Sequence, residues 1–346
     1  MKTTSQFKEK INIMTIIKVS FTLVGTLIGA GFASGKEVTT FFGCFGNVSY
    51  LFIFLFCIIF ACGIIFFSFI DKNQLPKTLK TAINIAVFIS EIISITAMMA
   101  GLSSILSILF VNDIPFYLSL VLIFMIVICG LKGLTTTNII LIPFLFISII
   151  VFGVVGVSTA DTLELAIINN SKLFKFMSLP LYIGLNLFGV FPIVLEFSGL
   201  QNKKEKIFSA ITTSTMIFIL MLCFCFTILN ISSSFIASEL PLVVYILTKA
   251  PNLIIVVVLT LTIAIITTII SDGFVVRQIL SNNGNNFANI SFALIFFGAF
   301  CVSNFGFAQI VETLYPINGL IGLILISLVI FFGIKNKTLH KKSSEQ

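Results

Sequence analysis

Gly25-Thr26-Leu27-Ile28-Gly29-Ala30-Gly31-Phe32-Ala33-Ser34-Gly35 is the stretch on which the fold turns. It lies inside an apolar run from about residue 11 to about residue 45. Each of its four glycines costs roughly 1 kcal/mol against alanine in a helix interior. In hydrocarbon an opened backbone survives only where it is buried in protein or lines a wet cavity. The glycines therefore mark either close helix packing or a break. Gly25 with Gly29, and Gly31 with Gly35, both have the G-x-x-x-G spacing of a packing face. At about 100° per residue the second pair lies roughly 200–240° round from the first. One helix contact cannot use both pairs, which favours a broken helix around a ligand.

The rest of the chain supplies the setting. Of 346 residues, 58% are hydrophobic and 10% charged, with a mean hydropathy of +1.18. Spans of ~20 apolar residues recur from end to end, the mark of a polytopic helical membrane protein. The seven cysteines lie in or beside apolar runs without a C-x-x-C and read as small hydrophobes. The single histidine, His340, is in the polar tail, so His-based triads and metal clusters are excluded. No phosphate-binding G-x-x-x-x-G-K-[ST] is present. The net charge of +7 sits in short loops and does not suggest nucleic acid. No nucleophile–base pair is visible, so the chain does not read as an enzyme.

Ten spans are expected, at 13–45 (broken), 48–70, 80–110, 114–131, 138–158, 178–200 (broken), 205–230, 251–277, 287–303 and 314–334. Lys2, Lys8, Lys10 and Lys18 lie before or at the start of span 1, three lysines join spans 2 and 3, and one joins 4 and 5. Three more join 6 and 7, Arg277 ends span 8, and four lysines follow span 10. The opposite side has only Lys172, Lys175 and Lys249. The positive-inside rule places both termini in the cytoplasm. The loop at about 159–177, with Asp161 and Glu164, divides the chain into two five-span halves. Halves with an odd number of spans enter the membrane from opposite sides, the arithmetic of an inverted repeat. The expected organisation is one transmembrane domain, 1–334, with repeats at about 11–158 and 178–334, and a cytoplasmic tail at 335–346. Short outer helices are expected within 232–250, where Ser238-Glu239 precedes Pro241, and within 306–315.

Span 6 is read as the counterpart of span 1. Gly184, Asn186, Gly189 and Pro192 interrupt it, and paired interrupted spans point to a transporter's binding site. A kinked helix that only packs is the alternative. Span 8 carries Thr260, Ala264, Thr267, Thr268 and Ser271 within an arc of about 100°. This face either packs helices and bonds its own carbonyls or offers hard oxygen ligands to a cation. Charges within spans cost about 2.5–3.5 kcal/mol each at a helix centre. Glu91, near mid-depth of span 3, is a candidate proton carrier or substrate-amine partner, with a structural ion pair as the alternative. Lys36, Glu37 and Glu312 lie on the outer side. Glu196 and Asp272 are expected to pair with nearby lysines or Arg277.

Gly29-Ala-Gly-Phe-Ala-Ser-Gly35 followed by Lys36-Glu37, with Gly130-Leu-Lys-Gly133, Asn138, Pro143 and Tyr315-Pro316, resembles the bacterial YkvI-like membrane protein family. That family is grouped with the amino acid–polyamine–organocation transporters. The resemblance implies a LeuT-like fold of two inverted five-helix repeats, helices 1 and 6 unwound, in a bacterial inner membrane. It also implies a Na⁺ site. Ala264-Ile-Ile-Thr267-Thr268 resembles the helix 8 pattern of sodium-coupled members, so Gly25, Ile28 and Ala264 would give carbonyls, and Thr267 and Thr268 hydroxyls. A proton-coupled relative would keep the same hydroxyls.

The expected function is cation-coupled transport of a small amino acid or similar zwitterion by alternating access, with Na⁺ or H⁺ as coupling ion and no other cofactor. Gly29 and Ala30 would open the backbone. The amides of Gly31, Phe32 and Ala33 would meet the substrate carboxylate. Asn186, Gly189 and Glu91 would meet the amine, Phe188 would close over the ligand, and Lys36 with Glu312 would form an outer gate. The rival is a sensor or receptor subunit that binds its ligand without moving it. Partners are the small-molecule substrate and the lipid bilayer; oligomeric state is left open.

Overall fold

The computed structural model describes residues 11–70, 75–158, 172–229, 240–281, 284–303 and 307–344, with the backbone alone at 157, 228–229, 307–312 and 334–344. The described residues are helical apart from turns and short links, with no strand among them. Asp161, Glu164, Ser238 and Glu239 lie outside the described residues. Eight helical runs are long and apolar enough to cross a membrane, and Ile13–Leu27 and Ile114–Ile128 are shorter apolar helices.

The first expected span is three helices, α1 (Ile13–Leu27), α2 (Ala30–Ala33) and α3 (Lys36–Phe42). A 3-10 stretch, Gly43–Val48, leads into α4 (Ser49–Ser68). Then come α5 (Lys77–Leu106), α6 (Ile114–Ile128), α7 (Gly130–Ser158), α8 (Lys172–Phe197) and α9 (Lys203–Leu229). The short helix expected near Pro241 is α10 (Pro241–Lys249), followed by α11 (Ile254–Leu280), α12 (Asn285–Val302) and α13 (Phe307–Ser344). α1 runs through the bundle, packed by α7, α8, α9 and α11.

Polar ties at the helix ends fix where α1 sits. Asn12 caps α1 by accepting from Met14 N–H at 3.0 Å. Asn12 N–H in turn donates to Glu205 Oε1 at 2.8 Å, 193 residues away in sequence. Glu205 Oε2 accepts from Asn202 N–H at 3.0 Å, and Asn202 Oδ1 accepts from Glu205 N–H at 2.9 Å. That is a reciprocal capping box for α9 whose carboxylate also holds the start of α1. At the other end Leu242 N–H donates to Ser34 O at 3.0 Å, so α10 is pinned beside the α2–α3 bend.

Two expectations are corrected. α8 runs unbroken through 172–197 with Pro180 and Pro192 inside it. Its Gly184 is a packing glycine. A Cβ there would lie 2.2 Å from Gly319 O, and one on Gly322 would lie 2.4 Å from Gly184 O, so α8 and α13 meet backbone to backbone. Asn186 stays within the helix by donating to Tyr182 O at 2.8 Å. Second, the helix within 306–315 is not separate, because α13 carries it through Pro316 in one piece. The backbone at 335–344, in the expected tail, continues α13.

Candidate functional site

The break in span 1 falls at Ile28 (φ −89°, ψ 81°) and Gly29 (φ −90°, ψ −170°). In an unbroken helix Gly25 O would accept from Gly29 N–H. Here Thr268 Oγ1 of α11 reaches it at 3.3 Å. The same hydroxyl lies 3.0 Å from Ala264 O, and Thr267 Oγ1 lies 3.0 Å from both Ile263 O and Ala264 O. Gly25 O, Ala264 O and the Thr268 hydroxyl are thus brought together, and Thr267 shares Ala264 O with Thr268. Ile28 is fully buried at the break itself. Both threonines bond carbonyls of their own helix, as threonines in apolar helices do; only Thr268 bridges to α1. Gly25 also packs tightly, since a Cβ there would lie 1.8 Å from Asn138 Oδ1.

Beside the break is a cavity of about 80 Å³. α1 contributes Thr26, the break Gly29, α5 Ser90, Glu91 and Ser94, and α8 Leu185, Asn186 and Gly189. α11 gives Thr268 and Asp272, α13 Tyr315 and Asn318, and α3 Glu37. Three of these are carboxyls, each at most 5% exposed. No lysine, arginine or histidine is among the described residues that line it. Glu91 and Asp272 face each other, with Ser94 beside Asp272. Asp272 Oδ2 is buried without a hydrogen-bond partner.

Glu37 arrives by a tertiary route. Gly35, at φ 79°, takes the left-handed conformation that favours glycine and bends the chain between α2 and α3. The Glu37 carboxyl comes back over Gly31, where a Cβ would meet Oε1 at 2.5 Å. It lies within hydrogen-bonding reach of the Phe32 amide and the Tyr182 hydroxyl, and that hydroxyl also neighbours Asn186.

Gly29, Glu91, Asn186 and Gly189 therefore line the cavity, whereas Ala30, Phe32, Ala33 and Phe188 do not. Ala33 N–H donates to Gly29 O at 2.9 Å, Ala30 N–H to Met98 Sδ at 3.4 Å, and the Phe32 amide faces Glu37. The Phe32 ring packs edge-on against Phe224, with centroids 5.3 Å apart. The Phe188 Cβ faces Gly322 on α13 and does not close over the cavity. Asp272 is also corrected: it is a cavity residue, and Arg277 donates to Asn289 Oδ1 at 2.8 Å. Glu196 accepts from Gln278 Nε2. Lys36 is buried on α3, while the side chain of its expected gate partner Glu312 lies outside those described. Sequence reading missed Thr26, Ser90, Ser94, Tyr182 and Asn318 as site residues. Only spacing on their helices could have suggested them.

A second, more open cleft of about 250 Å³ lies further along α5, α8 and α11, with Lys80, Asn84 and Gln278 among its lining. Val87, Phe191 and Val275 also line it.

No protein-family profile matches the chain, and no curated protein sequence matches it. Among solved structures it is similar to the crystal structure of a manganese transporter from Eremococcus coleocola in complex with an aromatic bis-isothiourea substituted compound. The TM-score is 0.57 at 12% identity, over 93% of this chain and 78% of that one. A likeness at that identity speaks for the fold. With the helical spans above, it makes this chain a polytopic helical membrane protein that shares the fold of that structure.

Proposed function

We propose that the protein is a cation-coupled secondary transporter of a small solute bearing an ammonium group, the class to which small amino acids belong, working by alternating access. The observation that carries this is the break at Ile28–Gly29. It lies beside the bundle's carboxyl-lined cavity and within reach of Thr268. The C-terminal end of α1 adds about half a negative charge there, and the Gly25 and Ala264 carbonyls offer hard oxygens. The coupling ion is Na⁺, held by the carbonyls of Gly25, Ile28 and Ala264 and the hydroxyls of Thr267 and Thr268. The solute's ammonium group meets Glu91 and Asp272. Two inverted five-helix repeats and cytoplasmic termini belong to the same reading; the lysine distribution and the fold likeness support them.

The similar manganese transporter suggests a divalent metal as an alternative cargo. Among the described residues no group of three or more His, Cys, Asp and Glu side chains is arranged to hold one, which favours an organic cargo. The test is uptake of labelled amines and amino acids into proteoliposomes under an inward Na⁺ gradient, with a proton gradient and choline as controls. Accumulation driven by Na⁺ is expected. Saturable binding without accumulation under either gradient would make the protein a sensor.

A further inference from the structure

The break in span 1 frees backbone amides, and a zwitterionic solute needs such donors for its carboxylate. In this protein the chain's own carboxylate already stands there. The bend at Gly35 brings Glu37 Oε1 within 2.5 Å of where a Gly31 Cβ would be, near the Phe32 amide and the Tyr182 hydroxyl. The remaining described wall offers a second carboxylate no positive partner, because no lysine, arginine or histidine lines it. The facing wall is built for the opposite charge. Glu91 and Asp272 stand together on that wall, and Asp272 Oδ2, in a residue only 4% exposed, is buried without a hydrogen-bond partner. A buried unpaired carboxylate oxygen asks for a donor or a cation. At about 80 Å³ the space fits a solute of a few heavy atoms.

We propose that Glu37 is a specificity-determining residue: an internal carboxylate that occupies the seat of a substrate carboxylate, so that the cavity selects a small primary ammonium ion without a free carboxylate over the corresponding amino acid. This rests on the reading of the cavity as the substrate site. Glu91 and Asp272 bind the ammonium group, and Glu37 fills the place a substrate carboxylate would take.

The experiment is thermal stability and equilibrium binding of the full chain in detergent at fixed NaCl. The probes are glycinamide, ethanolamine and 1,2-diaminoethane against glycine and alanine, with MnCl₂ as a separate arm. Glycinamide and glycine differ in little but the charge at issue. The wild type is expected to bind glycinamide at least about tenfold more tightly than glycine, a difference of about 1.4 kcal/mol. Glu37→Gln is expected to shrink or reverse that ratio, and Asp272→Asn to weaken the amines. Should Glu37→Gln not fold, Glu37→Asp withdraws the carboxylate from Gly31 by one methylene and must move the ratio the same way. Glycine binding as well as glycinamide, or a ratio unmoved by Glu37 variants, overturns the inference and leaves the transporter reading standing. Stabilisation by MnCl₂ alone overturns it in favour of a metal cargo. If neither amines nor amino acids bind, the cavity is not the substrate site and both readings fall.

Discussion

The Glu37 carboxyl rests on the bare Cα of Gly31, with Oε1 2.5 Å from the place of a Cβ. The obstacle is the free end of a side chain, so Gly31→Ala is expected to fold at a cost of about 1–3 kcal/mol. It should nonetheless push the carboxyl off its seat and into the cavity. Ligand binding is expected to weaken by at least about tenfold while the melting transition stays cooperative. A variant that aggregates would show that Gly31 serves packing alone.

Thr268→Val keeps the shape of the side chain and removes the oxygen that reaches Gly25 O at 3.3 Å. The apparent affinity for Na⁺ is expected to fall by about tenfold, and substrate affinity with it, because linkage is reciprocal. Binding titrated with NaCl against choline chloride at constant ionic strength measures both. Wild-type binding that ignores Na⁺ and follows pH would remove the ion from this site.

The glycines of α8 should separate cleanly. Gly184 faces Gly319 O at 2.2 Å from its added Cβ, whereas nothing lies within 4 Å of one on Gly189. Gly184→Val must move one backbone against another and is expected to cost about 3 kcal/mol, the upper part of the overpacking range. Gly189→Ala should instead raise stability by up to about 1 kcal/mol. Melting temperatures in one detergent decide it. Equal effects at the two sites would mean that α8 and α13 are not in backbone contact.

Glu205→Ala removes two charge-assisted acceptors, for Asn12 N–H and Asn202 N–H. A loss of about 2–3 kcal/mol is expected, with hydrogen exchange rising together at residues 12–16 and 202–206. Exchange that rises at only one of the two helix starts would show that the tie is not shared.

The lysine distribution predicts Lys204 inside and Lys249 outside. Single cysteines at the two positions, on a background lacking the exposed Cys62, Cys129 and Cys301, should label from opposite faces with an impermeant reagent. Labelling of both from one face would refute the span count.

Much of this architecture is legible in the chain because lipid leaves few options. Apolar runs ended by lysine, proline or glycine give the helix ends to within a few residues, except where α7, α8 and α13 run further. The break in span 1 is legible because its two glycine pairs cannot share one packing face. Span 6 misleads for the converse reason. Gly184 has the composition of a hinge, but it exists to admit the backbone of Gly319, and nothing in the sequence of α8 mentions α13. Asp272 reads as a helix-end residue because the apolar run stops short of Leu280, where α11 ends. Glu37 reads as an outer-side residue because counting along a helix cannot show the bend that Gly35 puts into the chain.

The bond from Asn12 N–H to Glu205 Oε1 also sets a timetable. Its two ends are 193 residues apart, and at roughly 5–20 residues per second a ribosome needs roughly 10–40 s to pass from one to the other. Throughout that interval the amide at the head of α1 lacks its final acceptor. The first helix to leave the translocon is therefore held provisionally and settled only when the start of α9 emerges. Truncations that stop before Glu205 should leave α1 inserted yet open to digestion from its N-terminal end, and lengthening the nascent chain past it should close that window.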